Sequence, residues 1–125
     1  QNEDQVSLAR FWAQKSKDPE GFTIKQFDVK GRGVVTDTPR QKGDFLLIYD
    51  GEKVTGKEGE EREKKSASCF RYFFKFNSRT YCVDATQETG RLGRLVNHGE
   101  VDERNSKMLR ISDNKGNHIL ALICT

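Results

Sequence analysis

Cysteine is scarce in this chain, and its pattern excludes two common stabilising frameworks. The 125-residue sequence has three cysteines, Cys69, Cys82 and Cys124. Their number is odd and no two form a C-x-x-C motif, so we expect neither a disulfide framework nor a structural zinc site. Reduced thiols are typical of proteins of the cytosol or the nucleus. We expect Cys82, in the middle of a strand, to be inert packing.

Other signatures are also missing. No apolar run is long enough to span a membrane, and residues 1–15 have no signal-peptide pattern. The two histidines, His98 and His118, lack the carboxylate–histidine spacing of a metal site, and no G-x-S-x-G motif of a serine hydrolase occurs. The net charge of +3 is too small to indicate a nucleic-acid partner by itself.

What is present fits one small globular domain that is mainly β with a leading helix. Charged residues make up 33% and hydrophobic residues 34%, with eight phenylalanines to build a core. Leu8, Phe11 and Trp12 recur at helical spacing within residues 3–16, which predicts a helix that packs this stripe on the core. We therefore expect an N-terminal helical flank at 1–21 and the main domain at 22–125.

Alternating and continuous apolar runs predict short strands separated by polar turns. The expected strands are 22–29, 34–36, 45–49, 69–76, 80–83, 108–111 and 118–124. The charge run 56–66 predicts a solvated short helix or a mobile loop. The last strand is apolar throughout and should have a neighbour on each side, which indicates sequence beyond Thr125. The chain also begins with Gln1 and not Met, as a fragment would.

Three groups of residues have side chains that could bind a ligand or take part in catalysis. For each group, the residue types alone do not decide between a structural and a functional role. Lys30-Gly31-Arg32-Gly33 is either a strand-to-strand turn or a loop whose glycines and cations approach a phosphate or carboxylate. Tyr49, Tyr72 and Tyr81 are either core tyrosines or the wall of an amine-binding channel. Asn97-His98, after an arginine-punctuated apolar segment, is either a polar anchor or a small-molecule contact.

Taken in order, four segments of the chain resemble the SET domain family. They are Lys30-Gly-Arg-Gly33-Val, Gly43-Asp-Phe with Tyr49-Asp-Gly51, Tyr81-Cys-Val-Asp-Ala-Thr86, and Arg91-Leu-Gly-Arg-Leu-Val-Asn97-His98. The similarity runs from about Phe22 to Ile123. Within the family it is strongest to the PR-Set type, the histone H4 lysine monomethyltransferases.

The resemblance implies small curved β-sheets and a C-terminal pseudoknot, which would be incomplete in this chain. It implies methylation of a protein lysine with S-adenosylmethionine as cofactor, by a monomer that acts on a histone tail or nucleosome in the nucleus. By resemblance Tyr49 is the catalytic tyrosine of the lysine channel. The residues that would contact the cofactor are Lys30, Gly31, Arg32, Cys69, Phe70, Arg94, Asn97 and His98.

Three departures from the family keep a second interpretation open. Phe70 stands where the family has a cofactor-contacting tyrosine, and Ile48 stands where it has an acidic residue. The family's Gly-Glu-Glu-Leu and Tyr-x-Tyr segment would fall after Thr125. These departures favour a catalytically degenerate module that binds a peptide or protein partner. A third interpretation is a nucleic-acid binder built on the aromatic strand 70–76.

Overall fold

The computed structural model describes residues 3–27, 31–96 and 106–125. This part of the chain is mainly β with a leading helix, as the sequence predicts. In chain order the elements are α1 (Glu3–Ala13), β1 (Phe22–Phe27), β2 (Gly31–Thr36), β3 (Phe45–Ile48), β4 (Glu52–Thr55), α2 (Gly56–Lys65), β5 (Arg71–Phe76), β6 (Arg79–Asp84), the 3-10 helix η1 (Gly93–Leu95), β7 (Ser106–Ser112) and β8 (His118–Cys124). None of the helices among the described residues is long and apolar enough to cross a membrane.

The chain divides into two compact units. One is built from Gln1–Tyr49 together with Gly90–Thr125, and we call it the main unit. The other is Asp50–Thr89, which we call the inserted unit. Each unit has its own three-stranded antiparallel sheet, with strand order β3-β8-β7 in the main unit and β4-β6-β5 in the inserted unit.

The core of the main unit is built around β8. All five residues from Ile119 to Ile123 are buried, which confirms that this strand is covered on both faces. Its neighbours on the two sides are β3 and β7. Because both neighbours lie within the chain, the burial of β8 carries no argument about sequence beyond Thr125.

Helix α1 packs on this sheet through a different face from the predicted one. Ala9 is fully buried, and Val6 and Trp12 pack against the same core, whereas Leu8 and Phe11 are 43% and 50% exposed. The prediction was therefore right for Trp12 and wrong for the other two residues of the stripe. The small Ala9 side chain allows the helix to lie close to β3 and β8, and this choice of face is not visible in apolar spacing alone.

Strands β1 and β2 form an antiparallel pair in which Lys25 lies opposite Gly33 and Phe27 opposite Gly31. Gly31, Arg32 and Gly33 are therefore strand residues, and the turn interpretation is wrong for them. Lys30 lies outside the described residues.

The inserted unit is held together by a tight hairpin and a glycine-mediated helix contact. Strands β5 and β6 are joined at Asn77 and Ser78, which both have positive φ, the backbone of a two-residue hairpin turn. The charge run was predicted to be either a short helix or a mobile loop, and it forms helix α2. A Cβ on Gly59 would lie 2.8 Å from the Cβ and Sγ of Cys82, so the helix backbone rests directly on β6. Strand β4 was not predicted because its sequence is polar and mostly exposed.

Candidate functional site

The end of β3 and helix η1 meet in the main unit at a glycine. A Cβ on Gly93 would overlap the carbonyl oxygen of Ile48 and would lie 3.1 Å from the Cα of Tyr49. Only glycine permits this approach without a shift of the backbone. The amide of Tyr49 also donates a 2.9 Å hydrogen bond to the Leu120 carbonyl, which fixes the end of β3 to the central strand. Tyr49 and Arg94 therefore belong to neighbouring, fixed backbone segments.

Strand β2 packs against the same helix η1. It carries Gly31 and Arg32, and η1 carries Arg94, which is buried. A cavity of about 210 Å³ in the same unit has Val34 of β2 and Val96 in its wall. Val96 immediately precedes Asn97-His98 in the chain, and those two residues lie outside the described part of the structure. The structure thus brings together Gly31, Arg32, Tyr49 and Arg94 in one unit.

Cys69 and Phe70, the other two predicted cofactor residues, belong to the inserted unit. Cys69 is exposed and Phe70 is half-buried. The Phe70 amide donates to Ser68 Oγ at 3.1 Å, and its carbonyl accepts from the Ala85 amide at 2.7 Å. These bonds fix the backbone just before β5, where the resemblance expects a cofactor contact.

The Tyr81–Thr86 motif places a buried carboxylate in the inserted unit. Asp84 Oδ2 accepts hydrogen bonds from Arg62 and Arg71, each at 3.0 Å, and Oδ1 accepts from the Thr86 amide at 3.0 Å. Burial raises the pKa of Asp84, but the hydrogen bonds from Thr86, Arg71 and Arg62 outweigh it, so the net pKa is lowered. Asp84 is thus held ionised as the centre of an ion-pair network.

Cys82, in the same motif, is buried, and its surroundings disfavour the thiolate form. Its pKa is raised, first by burial and then by the negative charge of Asp84. The thiol therefore stays protonated at neutral pH. This confirms the prediction that Cys82 is an inert packing residue.

One buried ion pair beside the site was not predicted from the sequence. Arg91 Nε donates to Asp18 Oδ1 at 2.9 Å, and both side chains are more than nine-tenths buried. Arg91 lies two residues before η1, and Asp18 lies in the segment between α1 and β1. The arginines at 91 and 94 punctuate an apolar segment, but nothing in the sequence pairs Arg91 with a residue so distant in the chain.

Comparisons with known proteins agree with this architecture. The SET domain family matches residues 31–123. Histone-lysine N-methyltransferase Set8 of Drosophila melanogaster is 40% identical over 97 residues, which are 74% of this chain and 14% of that protein. N-lysine methyltransferase KMT5A of Xenopus tropicalis is 36% identical over 99 residues, which are 75% of this chain and 30% of that protein.

A solved structure supports the same assignment. The crystal structure of CpSET8 from Cryptosporidium matches with a TM-score of 0.71 and 32% identity, over 82% of this chain and 50% of that one. The chain belongs to the SET domain family. It spans less than a third of the length of the two curated relatives described above and half of the crystallised protein.

Proposed function

We propose that this chain is the SET domain part of a protein-lysine methyltransferase that uses S-adenosylmethionine and acts on a histone tail, in particular that of histone H4. In this proposal residues 22–125 are the SET domain and 1–21 its helical flank. The observation that carries the proposal is the meeting of β2, η1 and the end of β3. Gly31, Arg32, Arg94 and Tyr49 lie in one unit, and the chain has relatives named histone-lysine N-methyltransferases; both facts support the proposal.

The side chains at this meeting point fit the proposed cofactor. Its carboxylate requires cationic partners, and Arg32 and Arg94 are cations on adjacent elements. Glycines at 31 and 33 leave room for a ligand to approach the backbone of β2. Lys30, Asn97 and His98 would complete the set. When bound, the cofactor supplies a methyl group on a sulfonium centre.

The protein's own part in such a transfer is to deprotonate, orient and desolvate an amine. A free lysine has a pKa of about 10.4, so the attacking amine must first lose its proton. An apolar channel favours the neutral amine, and Tyr49 is the residue proposed to line it and to orient the amine. Alignment of the amine with the methyl group then lowers the barrier by proximity.

A histone tail is basic, so the proposed peptide groove requires free acidic groups. On α2, Glu58 pairs with Arg62 at 2.9 Å and Glu63 pairs with Arg71 at 2.7 Å, so both carboxylates are already neutralised. Glu60 and Glu61 of the same helix are exposed. We propose that Glu60 and Glu61 bind the basic side chains of the tail. We propose separately that the basic residues elsewhere in the chain bind nucleosomal DNA in the nucleus. We further propose that the enzyme is a monomer.

The test is transfer of a labelled methyl group from S-adenosylmethionine to a histone H4 tail peptide by the protein that contains this chain. We expect transfer by the wild type and its loss in Asn97→Ala, because the amide of Asn97 is a proposed cofactor contact. The matched control is Asn114→Ala, an exposed residue of the turn between β7 and β8. It should transfer label at the wild-type rate.

Two results would contradict the proposal in different ways. Full activity of Asn97→Ala would remove Asn97 from the cofactor pocket. Absence of both transfer and calorimetric cofactor binding in the wild type would contradict the enzyme. If the peptide still bound in that case, the chain would be the degenerate binding module instead.

A further inference from the structure

The loop that leads into η1 is tied to the N-terminal flank by one carboxylate. Asp18 Oδ1 accepts from Arg91 Nε at 2.9 Å, and Asp18 Oδ2 accepts from the Leu92 amide at 2.7 Å. The two oxygens thus hold a side chain and the adjacent backbone. Asp18 and Arg91 have side-chain exposures of only 8% and 3%, so water competes little with these bonds.

The remaining nitrogens of Arg91 extend the same connection to helix α1. Nη1 donates to the Lys15 carbonyl at 2.6 Å, and Nη2 donates to the Trp12 carbonyl at 3.1 Å. The Trp12 carbonyl lies in the last turn of α1, where a cation is favoured by the helix dipole, and Lys15 follows two residues after the helix ends. Trp12 in turn packs on the core of the main unit. We call Asp18 and Arg91, with these four hydrogen bonds, the flank clamp.

The flank clamp and Gly93 fix the loop at two successive points. The clamp holds Arg91 and Leu92, and the next residue, Gly93, lies against Ile48 at the end of β3. Arg94 and Val96 follow directly, and then the chain enters Asn97-His98. A segment held in this way has lost its conformational freedom before any ligand arrives, so binding does not incur that cost.

We infer that Asp18 is a positioning residue for Arg94 to Val96, the described part of the proposed cofactor-binding segment. The inference rests on the proposed function. It adds to the cofactor site a residue that lies outside residues 31–123, the range matched by the SET family. Asp18 acts through Arg91 and Leu92 and touches no proposed cofactor contact itself. The helical flank is thereby a working part of the cofactor site.

The first experiment compares hydrogen exchange in Asp18→Asn and the wild type. Asparagine has the size of aspartate, but its NH2 group would face an N–H donor, so one of the two bonds must break. We expect faster exchange in peptides covering 91–96 and unchanged exchange in peptides covering 71–84 of the inserted unit. Asp37→Asn is the matched control, because Asp37 lies in the same unit and its carboxylate accepts a 2.6 Å bond from Thr23 that is exposed to solvent.

The second measurement is cofactor affinity by calorimetry, together with the two KM values. We expect Asp18→Asn to raise the dissociation constant and the KM for cofactor about tenfold. This is the effect of a binding-competent conformation that is populated about a tenth of the time. The KM for peptide should stay at the wild-type value. A residue that only stabilised the fold would not separate the two KM values. If Asp18→Asn does not fold, Arg91→Lys keeps the charge, loses the bonds to α1 and should give the same pattern.

The outcomes separate this inference from the proposed function. Unchanged exchange at 91–96 in both variants would overturn the clamp, whether or not cofactor binds. Faster exchange with unaltered cofactor affinity would overturn its role in positioning. A wild type that binds no cofactor would overturn the proposed function and, with it, the cofactor role of Asp18.

Discussion

At the scale of single residues, Asp84 brings together the charges of the inserted unit. It accepts hydrogen bonds from Arg62 and Arg71, and those arginines reach Glu52, Glu58 and Glu63 in turn. The pKa of Glu52 is lowered by its hydrogen bond to Arg62. The network therefore joins α2 to β4, β5 and β6 through ion pairs, in a unit whose helix has few apolar side chains of its own.

We predict that Asp84→Asn destabilises the protein by about 3 kcal/mol at pH 7, because two arginines would lose a nearly buried partner. Since the folded-state pKa of Asp84 is lowered, its stabilisation is complete above the unfolded pKa of about 3.9 and is lost as the pH falls below it. Urea unfolding of both proteins between pH 7 and pH 3 checks this. The difference in free energy of unfolding between the wild type and Asp84→Asn should be smaller at pH 3 than at pH 7. The control is Glu60→Gln, an exposed carboxylate of α2 that should have little effect, and a gap independent of pH would contradict the assignment.

Gly93 is the second decisive residue, because the end of β3 occupies the space of its missing Cβ. We predict that Gly93→Ala lowers the free energy of unfolding by about 2 kcal/mol through overpacking and also weakens cofactor binding. Thermal unfolding and calorimetry measure the two effects. Gly116→Ala is the control, since Gly116 has a positive φ but open space around it. It should lose stability through its backbone alone and keep cofactor affinity. Equal cofactor affinity in both variants would contradict the link between Gly93 and cofactor binding.

At the scale of elements, α2 shows how a charged helix can pack without apolar side chains. Gly56 and Gly59 are its buried residues, and they rest on Thr80 and Cys82 of β6. The glycines replace side-chain packing with backbone contact. The helix N-terminus is fixed separately, because Thr55 Oγ1 accepts the Glu58 amide at 3.1 Å.

We predict that Gly59→Ala destabilises the inserted unit by about 2 kcal/mol, although alanine is the better helix former by about 1 kcal/mol. The new methyl group would lie 2.8 Å from the Cβ of Cys82, which cannot move away without a shift of helix or strand, and the Phe73 ring, also at 2.8 Å, would have to rotate. Glu61→Ala on the exposed face of α2 makes the matched comparison. Denaturant unfolding should show a loss only for the glycine variant, and a gain in stability there would mean that α2 does not rest on β6.

At the scale of the whole molecule, the apolar pattern predicted most of the strands, and the resemblance to the SET domain family supplied the proposed site. Strands β3, β5 and β8 are apolar or alternating, so their existence follows from periodicity. The existence of β4 does not follow from periodicity, because its residues are polar and mostly exposed. Gly31, Arg32, Tyr49 and Arg94 were identified by motif, and their juxtaposition depends on β3, η1 and β2 meeting in space. The flank clamp was not predictable because Asp18 and Arg91 are 73 positions apart in the chain, on either side of the inserted unit.

The division of the chain has a consequence for how quickly it can fold. The main unit is completed only when β3 pairs with β8, which joins Phe45 to Ile123 across the whole inserted unit. Such a distant pairing is slow to form. Yet removing Asp50–Thr89 would only roughly halve that loop, and each doubling of loop length costs about 0.6 kcal/mol of closure entropy. The inserted unit therefore destabilises the main unit only slightly through loop-closure entropy. An insert at this position can change its length with little effect on the stability of the main unit.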